Sequence, residues 1–120
     1  MSKVINFKEK FHKFDDHWSP RVIAEMNDYQ FKLVKVEGEF VWHDHPVTDE
    51  VFIVIEGVLS IEFRDGNVTL NSGEMYVIPK GVEHKPVAKS ECKIMIVVPK
   101  GVVNTGDSGS ALTAENDVWV

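Results

Sequence analysis

Leu59, Ile61 and Phe63 alternate with Ser60, Glu62 and Arg64, the period of a strand with one buried face. The same period, or a short β-branched run, recurs along most of the chain. Phe31–Val36 largely alternates. Glu50–Ile55 is β-branched and halts at Gly57, and Val68 and Leu70 alternate with Thr69 and Asn71. Met75–Ile78 is stopped by Pro79-Lys80-Gly81, a sequence that suits a β-turn with proline second. Lys93–Val98 is nearly all apolar and predicts a strand buried on both sides. Phe40–His43, closed by Pro46, predicts a further strand. Asp65-Gly66 is a hairpin signal. Near the start, Ser19-Pro20 suits a helix opening, but the β-branched run beyond it favours strands at Arg21–Met26 and Tyr29–Val36, with a turn at Asn27-Asp28.

Only one segment carries a helical period. Phe7, Phe11 and Phe14 share one helix face, and Asn6 with Glu9 resembles a capping box. The three phenylalanines are expected to hold this helix on the body of the protein. Many short strands with Gly and Pro turns, no βαβ alternation and no repeat indicate an all-β sandwich or barrel. The chain then divides into a helical segment (1–18), a barrel (19–100) and a loop-rich end (101–120). That end is Gly-, Ser-, Asn- and Asp-rich from Asn104 to Ser110, yet it finishes in Val118-Trp119-Val120. Such apolar residues imply that it docks, on its own barrel or on a partner.

Composition narrows the function. The 120 residues suit one domain, and 43% hydrophobic with 27% charged residues is globular. A net charge of -6, without a basic stripe, argues against nucleic acid and anionic membrane as partners. Cys92 is the single cysteine, so no internal disulfide forms. No stretch has the character of a secretory signal or approaches the ~18 apolar residues of a membrane span. A soluble cytoplasmic protein is the expectation.

His43 and His45, two apart, fall on one face of a strand. Alone, a His-x-His pair is more often solvated than ligating. Here Glu50 opens the next strand, sharing a face with Phe52 and Val54, and His84 follows a third strand and its turn. Three imidazoles and one carboxylate suit one divalent first-row metal ion per chain: Fe, Mn, Ni, Zn or Cu. Asp49 is the rival to Glu50, but its parity opposes that of Phe52. Asp44 should point out of the barrel, and Cys92 reads as a small buried apolar residue. Trp42, opposite in parity to His43, is expected outside the barrel or in a dimer contact. Either Met75 and Val77 or Tyr76 and Ile78 should line the pocket.

These residues resemble the two motifs of the cupin superfamily. The first runs Gly38, His43-x-His45, Glu50, Gly57; the second runs Gly73, Pro79-x-Gly81, His84. Two positions depart from the pattern. Four residues rather than five separate Gly38 from His43, and Ala88 stands where asparagine is frequent. Neither removes a ligand. The resemblance, closest to small stand-alone "mannose-6-phosphate isomerase-like" cupins, implies a double-stranded β-helix, or jelly-roll barrel, with a metal in one mouth. It implies a small-molecule ligand and a homodimer, and leaves three roles open. They are a metal-dependent oxygenase, isomerase or cyclase, a non-catalytic binder or sensor, and a protein that merely dimerises.

Overall fold

The computed structural model describes residues 3–106 and 108–120. It contains one helix, α1 (Phe7–Phe11), and seven strands: β1 (Arg21–Met26), β2 (Tyr29–Glu39), β3 (Glu50–Glu56), β4 (Val58–Phe63), β5 (Gly66–Asn71), β6 (Met75–Ile78) and β7 (His84–Pro99). Every ladder is antiparallel. One layer has the order β1-β2-β7-β3-β6, and β5-β4-β7 leads into a second. The long strand β7 serves both layers. Its later residues lie between β2 and β3, and its earlier ones pair with β4. The sheet thereby curls into the expected barrel, closed around Val34, Val36, Phe52, Val54, Leu59, Ile61 and Ile94.

The two-residue period explains which side chains reach that core. In β3, Glu50, Phe52 and Val54 are buried, while Val51, Ile53 and Ile55 are half-buried on the outer face. In β6, Ile78 is buried and Tyr76 packs against the core, whereas Met75 and Val77 stand outside. The second of the two pairs therefore faces inward. Lys93–Val98 is less uniformly enclosed than its composition predicts. Ile94, Met95 and Val98 are buried, but Ile96 and Val97 are half-exposed.

Two local expectations change. Helix α1 ends at Phe11, and Phe14 follows in the turn beyond it. Phe11 and Phe14 are buried with their rings 5.9 Å apart, but Phe7 points to solvent. Phe14 packs into a cluster with Phe11, Ile23, Leu33 and Met95, and the cationic ends of Arg21 and Lys35 lie over its ring, so it is buried without a helix. Asn6 does accept a bond from Glu9 N.

Phe40–His43 is not a strand either. It meets its neighbour only through Phe40 N to Pro86 O and a two-bond bridge between His43 and His84. β2 ends at Glu39, just past a register shift at Gly38, whose φ is +82°. Left-handed backbone of this kind bends a strand out of its ladder.

The C-terminal segment docks on its own barrel. Val22 donates to Val118 O, and Val120 donates back to Val22 O. Asn116 and Val102 O receive the ammonium of buried Lys32, and Asp117 receives the amide of Gln30. No helix among the described residues is long and apolar enough to cross a membrane.

Candidate metal centre

The bridge between His43 and His84 sets their imidazoles side by side, with ring centroids 4.3 Å apart. Each ring has its Nδ1 2.9 Å from a backbone carbonyl two residues earlier, Val41 O and Val82 O. A carbonyl only accepts, so the proton sits on Nδ1 and the Nε2 lone pair is left free. His45 is held by its own carbonyl, which accepts from Gly81 N in the turn before His84. Glu50 enters from the first position of β3, opposite Ile78. All four residues are buried, and one ligand atom from each lies within 4.8 Å of every other.

Asp49 is turned away. Its Oδ1 accepts from Lys80 N on the outside, so the structure brings Glu50 and not Asp49 into the cluster. Trp42 is outside the barrel, covered by the guanidinium of Arg64 at 3.8 Å and by Lys85 at 5.7 Å. Cys92 is fully buried away from the cluster and behaves as a core residue.

The donor set fits a divalent cation. His84 Nε2 is 3.2 Å from Glu50 Oε1. His45 Nε2 is 3.4 Å from Glu50 Oε2 but lacks hydrogen-bond alignment, so this nitrogen is buried without a partner. An unpaired buried nitrogen is costly, and one cation would satisfy the converging lone pairs together. Burial alone would raise the carboxyl of Glu50; His45 and His84, in their protonated forms, outweigh it and hold the pKa at about 2 in the metal-free cluster. Burial, reinforced by His84, pushes His43 down to about 4. Neutral imidazole and ionised carboxylate are the ligating forms.

One side of the cluster opens on a chamber of about 30 Å³ lined by Trp18, Val34, Phe40, Phe52, Ile94 and Ile96. Trp18 stacks on Phe40 at 4.6 Å, and Phe40 meets His43 edge-on at 5.3 Å. Asn104 also lines the chamber, yet its amide is committed to Trp18 O, Leu112 O and Ala114 N.

On another side of the cluster the C-terminal segment lines a separate cavity against His45, through Val102, Val103 and Gly106. A side chain on Gly106 would collide with Asp44 O, between two of the clustered histidines. The pattern of apolar positions does not reveal that Trp18 and Asn104 line the chamber or that Gly106 packs beside the histidines. The only hint was a tail too apolar at its end to be free.

This is the fold of a β-barrel that carries a buried His/His/Glu/His cluster compatible with metal binding. The chain matches the Cupin domain family over residues 31–99 and belongs to it. It is 37% identical to YdbB of Bacillus subtilis (strain 168) over 86 residues, 71% of this chain and 76% of the relative. The crystal structure of a cupin-2 domain containing protein from Shewanella frigidimarina NCIMB 400 is 77% identical, with a TM-score of 0.80. That match covers 81% of this chain and 95% of the Shewanella chain. A protein from Neisseria meningitidis is 33% identical with a TM-score of 0.75, over 82% of this chain and all of the other.

Proposed function

We propose that the protein is a metal-dependent cupin that acts on a small organic molecule, with His43, His45, Glu50 and His84 holding one divalent first-row ion. Such an ion, with four protein ligands and positions to spare, supplies Lewis acidity or a site for dioxygen.

One observation carries the reading. The chamber beside His43 and Glu50 is walled by aromatic and aliphatic side chains, and its one other polar group, Asn104, is already bonded. Among the described residues no lysine, free carboxylate or further histidine lines it to move a proton. The protein's part is then to hold the ligand set, exclude water and pack the apolar body of the ligand. This favours an oxygenase over an isomerase, which needs a positioned acid or base. About 30 Å³ admits groups the size of one or two waters. A larger substrate either displaces Trp18 or reaches the cluster from the cavity of about 310 Å³ that lies against His45.

The test has two stages. Protein purified without added metal should carry close to one divalent ion per chain, and His45→Ala or His84→Ala should lose it. Full occupancy in both variants would rule out this site. Iron-reconstituted protein should then consume oxygen with at least one of a panel of small phenols, diketones and thiols. Silence across the panel shifts the balance to isomerisation or to ligand binding without turnover.

A further inference from the structure

The inner face of β2 changes character along its length. Val34 and Val36 enter the apolar core. Lys32 and Gln30 share their face by the two-residue period, and both are buried, at 4% and 0% exposure. Lys32 lies in a cross-strand row with Ile96 and Phe52, two side chains that line the chamber. Phe52 in turn is two residues along β3 from Glu50. An ammonium is thus carried inside the barrel, beside the chamber and within the field of Glu50.

Among the described residues no carboxylate forms an ion pair with this cation, although other lysines have such partners. Its Nζ donates to neutral oxygens of the C-terminal segment, Val102 O at 3.2 Å and Asn116 Oδ1 at 3.1 Å. A buried charge capped by neutral groups is poorly compensated. Burial pushes the Lys32 pKa below the ordinary lysine range despite the attraction of Glu50 and Asp117. Beside it, Gln30 spends its amide N–H groups on Glu25 and Asp117, and its Oε1 is buried without a partner. The segment covers this polar patch without satisfying it. Val102 also lines the cavity against His45, so the residue that caps Lys32 is a wall of the space leading to the cluster.

We infer that Lys32 is the anchor for the carboxylate of a small organic acid, and that Val102 O and Asn116 Oδ1 hold its place in the free protein. The inference rests on the reading above, that a small organic molecule binds at the metal cluster, and gives that molecule a charge. A carboxylate offers two oxygens, as the cap does, together with the negative charge that the cap lacks. It displaces Val102 and Asn116 from the ammonium and directs the rest of the molecule toward the cluster. Asp117 follows Asn116 in the chain, so lifting this stretch also draws a competing carboxylate away from Lys32. A single negative charge suits the site. Glu50 stays in place and repels a dianion such as phosphate more strongly.

Calorimetric titration of the zinc-loaded full chain tests this with matched pairs: acetate and acetamide, pyruvate and pyruvamide, benzoate and benzamide. At least one acid should bind about tenfold more tightly than its uncharged amide. Lys32→Met, of similar length and uncharged, should erase that preference. Asn116→Ala is the second arm should Lys32→Met fold poorly. It removes a competing cap and should tighten binding of the same acid severalfold. The same titrations on metal-free chain separate this inference from the metal reading. A preference that persists there and depends on Lys32 upholds the anchor even if zinc does not bind. No preference in any pair overturns the inference. So does a preference that survives in folded Lys32→Met, an acid affinity that Asn116→Ala leaves unchanged, or inorganic phosphate binding more tightly than every acid.

Discussion

Gly106 packs so closely on the carbonyl of Asp44 that no side chain fits between them. Asp44 separates His43 from His45, so the C-terminal segment abuts the backbone that carries two of the four clustered residues. Gly106 also has φ +57°, where an L-residue is strained. Gly106→Ala should therefore shift the His43–His45 backbone or lift the segment from Asp44. The expected cost is about 1–3 kcal/mol of stability, together with weaker metal retention. Thermal unfolding and metal titration read both; unchanged values in each would show that the contact does not govern the cluster.

The neighbouring acids Asp49 and Glu50 should behave in opposite ways. Glu50→Gln removes the buried carboxylate from three imidazoles and should abolish stoichiometric metal. Asp49→Asn alters an exposed cap on Lys80 N and should retain it. Metal content measured on both variants, side by side, decides which acid ligates. Retention in Glu50→Gln with loss in Asp49→Asn would reverse the assignment.

Acid should destabilise the metal-free protein through His43. Its pKa falls from 6.5 in the unfolded chain to about 4 in the fold, first through burial and then through His84. Between those values the unfolded chain binds the extra proton, so stability is present above 6.5 and is lost as pH falls toward 4. The gap corresponds to roughly 3 kcal/mol when fully expressed. Glu50 adds a second loss lower down, as pH falls from 4.5 toward about 2. Urea unfolding across this range should show midpoints that drop with acid, and the step above pH 4 should diminish in His43→Gln. A flat profile would contradict the burial of His43 as a neutral ring.

Cys92 should be silent in the native state. It is fully buried, its thiol is pushed up to about 11 by burial and by Glu56, and Gly57 packs on its backbone. Disulfide reagents at mildly alkaline pH should label it only as fast as the protein unfolds, because the thiolate is the reactive form. Rapid labelling under native conditions would show that β7 opens locally beside Gly57.

The sequence by itself determined the architecture and the residue types of the cluster. Alternation in β3 and β4 depends on the two-residue period alone, so Glu50, Phe52 and Val54 could be assigned to one face without coordinates. His43, His45 and His84 were legible because their spacing to Gly, Pro and Glu50 forms two motifs. Segments bent by distant contacts were not legible. Phe40–His43 has strand composition but bonds to residues 84–86 at only two points, and Phe14 is buried by packing on Ile23, Leu33 and Met95 rather than by a helix. The tertiary structure alone decided that Asp49 caps Lys80 and that Tyr76 and Ile78 face inward. It alone brought Trp18 and Asn104 to the chamber from opposite ends of the chain, and Gly106 to the carbonyl of Asp44. Local periodicity encodes which face a side chain takes. Which remote segments meet there depends on how β7 is shared between two layers, and that appears only when the barrel closes.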